Sequence, residues 1–206
     1  VSLNQNVNNG GTANFTHNSF NNSESERAQV NAYRESNIVR DFVLTYNPDY
    51  PQLQEAQFPV NVGVSGSCNA FYDYSSINFY NVGGGCANTA FSVIVHHEYG
   101  HHLVAVGGSG QDAYGEGMGD VVGLLISGDP QLARGFYQNN CSSGIRTADN
   151  NYQYGGSCSG IHDCGQLISG CVWDTVNIME ANYDNGLDIV ANLAINSILL
   201  HTGGSI

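Results

Sequence analysis

The chain has 206 residues, with no lysine and five arginines against 18 acidic residues, for a formal net charge of −13. That length suits one large domain or two small lobes around a real core. The charge argues against nucleic acid or an anionic membrane surface as partner, and an acidic, lysine-free surface is compatible with a salty habitat. No 18-residue apolar run marks a membrane span, and the start at Val1, without a signal peptide, is what a processed or trimmed chain would show.

In chain order, residues 1–22 are rich in Asn, Ser, Gly and Thr and read as irregular or edge structure. Ser23-x-x-Glu26 is a capping-box pattern and opens a helix to about Tyr46, ended before Pro48. Val30, Tyr33, Val39, Phe42, Val43 and Tyr46 recur in it at helical spacing. Residues 58–82 alternate apolar and polar, with Val60, Val62 and Val64 on one face and Ile77 and Phe79 on a second strand, as in a β-hairpin. A histidine-rich helix follows over 87–106, stopped by Gly107-Gly108, and a second from about Ala113 to Ile126. A Gly, Ser, Asn and Tyr-rich loop fills 128–160, and apolar helices over about 163–182 and 186–201 close the chain. The outline is α+β. It has a small antiparallel sheet and the histidine helix in the N-terminal part, a mainly helical C-terminal lobe, and a cleft between sub-lobes of about 1–106 and 107–206 within a single domain, 1–206.

Six cysteines without a C-x-x-C pair point to disulfides in an oxidising compartment, hence a secreted, extracellular or periplasmic protein, rather than to a cysteine metal site. Cys68 and Cys86 flank the hairpin and are placed to tie its ends. The other four allow three pairings. A helix over 163–180 sets Cys164 and Cys171 about 10 Å apart along its axis, too far to bridge, which leaves Cys141–Cys158 or a crossed arrangement open.

The chemistry concentrates in "VIVHHEYGHHLV", residues 93–104. Side chains share a helix face at spacings of three or four, and among His96, His97, His101 and His102 only His97 and His101 stand so. With Glu98 they make H-E-x-x-H, two imidazoles able to share a Zn²⁺ and a carboxylate beside it to act as general base. A catalytic zinc wants a third protein ligand and an open position. "AYGEGMGDVVG" (113–123) offers Glu116 for that ligand and, one turn on, Asp120 to accept the other ring N–H of a ligand histidine. Gly115, Gly117 and Gly119 let this helix approach its neighbour closely, a reason for residues otherwise costly in a helix. The pattern that supplies a third histidine at H-x-x-G-x-x-H is absent, since Val104 and Gly107 stand in its place. His96 and His102 are left to packing.

With "HEYGH" and "GEGMGD" in this order the sequence resembles the gluzincin metallopeptidases, the superfamily of the thermolysin and fungalysin families. Three more segments share the likeness, which runs across residues 60–200. "CNAFYDYSSINFY" (68–80) resembles the edge strand that pairs with the substrate backbone, which implies that Asn69 and Ala70 bind substrate by adding the peptide as an extra strand. "SGIRTAD" (143–149) resembles the segment whose arginine holds a substrate carbonyl; Arg146 is the matching residue. "SGIHDCGQLISGCVWD" (159–174) resembles the opening of a late helix whose histidine stabilises the transition state; His162 matches. The resemblance implies a secreted zinc endopeptidase with one catalytic ion, a polypeptide substrate and a pro-region that is cleaved away.

The chain also departs from the family pattern. The interval between the zinc helix and Glu116 is shorter than in thermolysin. The tyrosine that assists the oxyanion there then has no counterpart in place, and Tyr114 is the nearest in sequence. Ser157 replaces the acidic partner of the late histidine, which turns His162 toward Asp163 or a backbone carbonyl. Calcium, common in the family, finds no matching acidic cluster. Two other readings stand beside the peptidase. One is a catalytically silent zinc-containing peptide-binding module, against which the intact Glu98 speaks. The other is a zinc aminopeptidase, which would need an acidic pair for a free N-terminus where this chain reads Asn-Ala-Phe-Tyr at 69–72.

Overall fold

The computed structural model describes residues 4–16, 18–54, 57–156 and 158–206. Its first helix, α1 (Glu24–Tyr46), begins where the capping pattern places it, with the Ser23 hydroxyl accepting the Glu26 N–H at 3.3 Å. Glu24 turns outward from that box and accepts from the Val82 N–H and the Asn88 side chain, so the helix start is pinned to the segment after the sheet. A buried stripe of Ala28, Ala32, Val39 and Val43 packs this helix on the next, each fully buried valine contributing roughly 1.5–3 kcal/mol by burial.

The sheet comprises β1 (Val60–Val64), β2 (Ala70–Tyr72) and β3 (Ile77–Tyr80) in the order β1-β3-β2. β2 and β3 form an antiparallel hairpin with Ala70 opposite Phe79 and Tyr72 opposite Ile77. Its turn is organised by Asp73, whose carboxylate accepts the Ser75 and Ser76 N–H groups. β1 runs parallel to β3, Val60 beside Ile77 and Val62 beside Phe79, with a register slip at Gly63, where φ is +74°. The sheet is therefore mixed, where an antiparallel one was expected. Alternation of apolar and polar residues encodes faces but not strand direction. Among the described residues β2 has a partner strand on one side only, and its other edge is free.

The histidine helix, α2 (Ser92–Val106), starts five residues later than its sequence suggests. The preceding residues serve the sheet instead: Thr89 donates its hydroxyl to the Asn69 carbonyl and accepts the Tyr80 N–H, tying β2 to β3. α3 (Asp112–Ser127) lies between α2 and α4 (Ile161–Asn182). Its glycines fit both neighbours. A Cβ on Gly100 of α2 would stand 2.7 Å from the Gly119 Cα, and one on Gly117 would stand 2.8 Å from the Gly165 carbonyl of α4. Gly128, at φ +66°, ends α3 in the left-handed conformation that glycine adopts without strain. The stretch expected as loop carries a short ribbon, β4 (Gln131–Leu132) paired with β5 (Arg146–Thr147). α5 (Gly186–Ile198) buries Ile195 and Ile198 and reaches α1 through a hydrogen bond from the Tyr46 hydroxyl to Asp188.

Cys68–Cys86 closes the β2–β3 hairpin as expected. The second disulfide is Cys158–Cys164, and Cys141 and Cys171 are unpaired and exposed. The Cys141–Cys158 alternative is thus not realised, because the turn into α4 brings the Cys158 and Cys164 Cα atoms to 5.1 Å, well within disulfide span. No helix among the described residues is long and apolar enough to cross a membrane.

Candidate metal centre and its cleft

α2 presents His97 and His101 on one face, and close packing of α3 brings Glu116 against them. One ligand atom from each of the three lies within 4.8 Å of the others. His97 Nε2 stands 3.2 Å from Glu116 Oε2 and His101 Nε2 stands 3.7 Å from Glu116 Oε1. Glu116 Oε2 is buried and receives no hydrogen bond among the described residues. Buried carboxylate oxygens normally have partners, so an orphan oxygen beside His97 Nε2, on a carboxylate whose other oxygen faces His101 Nε2, fits a cation.

The far side of each ring is also determined. His97 Nδ1 lies 2.8 Å from Asp120 Oδ1 and His101 Nδ1 lies 2.7 Å from Gln111 Oε1. A ring N–H donated to these oxygens leaves each Nε2 with its lone pair directed into the site, the arrangement a metal ligand requires. Asp120 in turn takes two bonds from Arg146, Nε at 2.9 Å and the second guanidinium nitrogen at 2.7 Å. Gln111 donates back to the His101 carbonyl. The glycines complete the cradle. A Cβ on Gly119 would lie 2.8 Å from His97 Nδ1, and one on Gly115 3.2 Å from His101 Nδ1.

The electrostatics agree with a missing positive charge. Burial favours a neutral His97, yet Asp120, Glu116 and Glu98 outweigh it and push the imidazole up to about 10. Burial likewise opposes ionisation of Glu116 and Asp120, but the histidines, and for Asp120 also Arg146, hold both carboxylates at about 2. His101 is driven down to about 4 by burial and by neighbouring His97. A pocket that recruits a proton to offset its carboxylates is one in which a divalent cation can take the proton's place. Glu98 sits beside the cluster, buried, and that burial raises it to about 7, with Glu116 and Asp120 reinforcing the rise against His97 and Arg146.

The cluster forms one wall of a cleft of about 450 Å³. The edge strand β2 borders it with Ala70 and Tyr72, Asn69 just before the strand joins them, and His162 and Arg146 also line it. His162, in the first turn of α4, places Nε2 3.3 Å from Glu116 Oε1. Between β4, β5 and α2 the lining is apolar, with Val93, Leu132, Phe136 and Ile145.

Two expectations are corrected here. Tyr114 does not reach the cleft. It is buried on the opposite side of α3, stacked on His201 at 3.6 Å between ring centroids, because two residues advance a helix by about 200°. Asp163 does not serve His162; its carboxylate accepts from the Ser159 N–H and the Tyr152 hydroxyl. Ser157 lies outside the described residues. Of the remaining histidines, His96 pairs with Glu35 of α1 at 2.9 Å and His102 stacks on Phe58 at 3.9 Å, both buried. Sequence reasoning missed Gln111. The second histidine also needed an acceptor for its free ring N–H, and a polar residue soon after the helix was the place to seek one.

No protein-family model matches the sequence, and no curated protein matches it. Among solved structures, the precursor of protealysin, a metalloproteinase from Serratia proteamaculans, resembles this chain with a TM-score of 0.60, over 85% of this chain and 79% of that one, at 15% identity. At that identity the likeness is one of fold. It is a metalloproteinase-like fold, and it carries a His-His-Glu cluster able to hold a metal.

Proposed function

We propose that the protein is a secreted zinc endopeptidase of the gluzincin kind, akin to the thermolysin and fungalysin families, with residues 1–206 as one catalytic domain. The observation that carries this reading is the convergence of His97 Nε2, His101 Nε2 and Glu116, with buried Glu98 beside them, on a cleft bordered by an unpaired strand edge. The three ligands would hold Zn²⁺, which supplies a charge that acidifies water and polarises a carbonyl.

The chain's own residues do the rest. Glu98, buried at the cleft wall beside the three ligands, takes a proton from the attacking water and passes it to the leaving amine, the task of a general base. The peptide lies along β2 as an added strand, with Asn69 and Ala70 as its contacts. His162 and Arg146, at the cleft wall, are donors for the oxyanion and for a substrate carbonyl. Val93, Leu132, Phe136 and Ile145 favour an apolar side chain next to the cleaved bond. The similar solved structure is a precursor, and we extend to this chain a pro-region that is removed on maturation. Two disulfides agree with an oxidising, extracellular setting.

The test is zinc content with casein hydrolysis, on wild type and Glu98→Gln together. One zinc in both, and chelator-sensitive hydrolysis in wild type only, is expected. One zinc in both but hydrolysis in neither would favour the silent binding module, and no zinc in either would sink the proposal. An aminopeptidase would cleave only from free N-termini.

A further inference from the structure

His162 is held differently from the two histidines of the metal cluster. Those hand their Nδ1–H groups to Asp120 and Gln111. The His162 side chain is 61% exposed, and among the described residues nothing hydrogen-bonds its Nδ1. It also sits in a weak place. α4 begins after Gly160, which offers no side-chain cap, and His162 is the second residue of the helix. An uncapped first turn frays readily.

The backbone around it is fastened instead. The Cys158–Cys164 disulfide, with a sequence separation of 6, makes a small covalent ring that contains His162. Within that ring Asp163 accepts the Ser159 N–H at 2.7 Å and, from outside it, the Tyr152 hydroxyl at 2.7 Å. One residue beyond the ring, Gly165 presses on α3, where a Cβ would meet the Gly117 nitrogen at 2.7 Å and the Glu116 Cβ at 3.0 Å. The ring is thereby moored beside Glu116, the residue that the His162 imidazole faces.

We propose that the Cys158–Cys164 ring is a positioning device for His162. It holds over the metal cluster an imidazole whose Nδ1 has no side-chain partner among the described residues, by fixing the first turn of α4. This rests on the reading of His162 as an oxyanion donor in a zinc peptidase. The acidic partner of the family pattern is replaced, on this view, by a covalent constraint on the backbone.

The experiment compares four full-length proteins: wild type, Cys158→Ser/Cys164→Ser, His162→Ala, and the combination. Zinc content and chelator competition should be the same in all four. Opening the ring should lower kcat about tenfold with KM within twofold, a loss smaller than the roughly 10²–10³ of removing one oxyanion donor. In the His162→Ala background the same two serines should change kcat less than threefold, because the ring acts through that imidazole. An unchanged kcat on opening the ring, or an equal loss with and without His162, overturns the proposal. Should the double serine variant fail to fold, Asp163→Asn loosens the same turn and is held to the same two criteria. Hydrogen exchange separates this proposal from the peptidase reading. The amides of Ser159 and Cys164, bonded to the Asp163 carboxylate and the Gly160 carbonyl, should exchange at least tenfold faster once the ring is open, with α2 and α3 unaffected. No such change refutes the ring's role, whereas a wild type without turnover refutes the peptidase.

Discussion

Around Glu116 each histidine of the cluster is oriented by a side chain from a neighbouring element and by glycines that leave no slack. Around His162, 3.3 Å from the same carboxylate, orientation comes from a disulfide ring and a helix start. The buried half of the site is over-determined and tolerates little. The exposed half rests on covalent and backbone constraints and gives way locally. A metal demands several lone pairs fixed at once, whereas a single donor at a cleft wall has only to be near when charge develops.

The harshest way to break the buried half is Gly119→Ala. Its Cβ would stand 2.8 Å from His97 Nδ1 and 3.0 Å from the His97 carbonyl, so the helices must part or the ring must leave Asp120. Overpacking of this kind costs about 1–3 kcal/mol. Zinc affinity, read by competition with a chelator, should fall more than about 100-fold, past the range for losing one outer partner. An affinity within threefold of wild type would show that helix proximity does not set the site.

The two outer partners sharpen the comparison. Asp120→Asn keeps an acceptor for His97 but drops the charge that Arg146 binds, and zinc affinity should fall by about 100-fold; Gln111→Ala removes a neutral partner and should cost nearer tenfold. Calorimetric titration with zinc measures both. The reverse order would mean that His101, not His97, is the better oriented ligand.

The smallest effect is expected at the turn beside the sheet's edge strand. Asp73 is held at about 2, below its ordinary 3.8, chiefly by hydrogen bonds from the Ser75 hydroxyl and N–H. A carboxyl depressed in the folded state adds stability that is complete above its unfolded value and is lost as pH falls through the folded one. The β2–β3 turn should therefore loosen between about pH 4 and pH 2. Carboxyl NMR should give a midpoint near 2 for Asp73. A midpoint at the ordinary value would mean that the turn's hydrogen bonds are not formed in solution.

Much of the fold was readable because local chemistry decided it. Ser23 caps α1 as its pattern foretells, and the four-residue spacings of His97 with His101 and Glu116 with Asp120 survive into the structure as shared faces. What stayed hidden depends on partners distant in sequence. Val60, Val62 and Val64 would alternate identically beside a parallel or an antiparallel neighbour, so the direction of β1 was not written in them. α2 begins late because Thr89 is claimed by Asn69 and Tyr80, which no periodicity reveals. Gln111 stands alone in a turn, and only the need of His101 for an acceptor gives it meaning. Tyr114 was misjudged by sequence proximity where helix rotation should have ruled.

β3 occupies the middle of the sheet although it is the last of the three strands in the chain. A ribosome delivers β1 and β2 first, and neither has its neighbour until residue 80 has emerged. For that interval two uncharged strands stand unmated, and such edges invite association with other chains. Their brevity, five and three residues, limits the hazard. The groove that would receive a foreign peptide is thus finished by a late arrival, and Cys86, six residues further on, can then lock it.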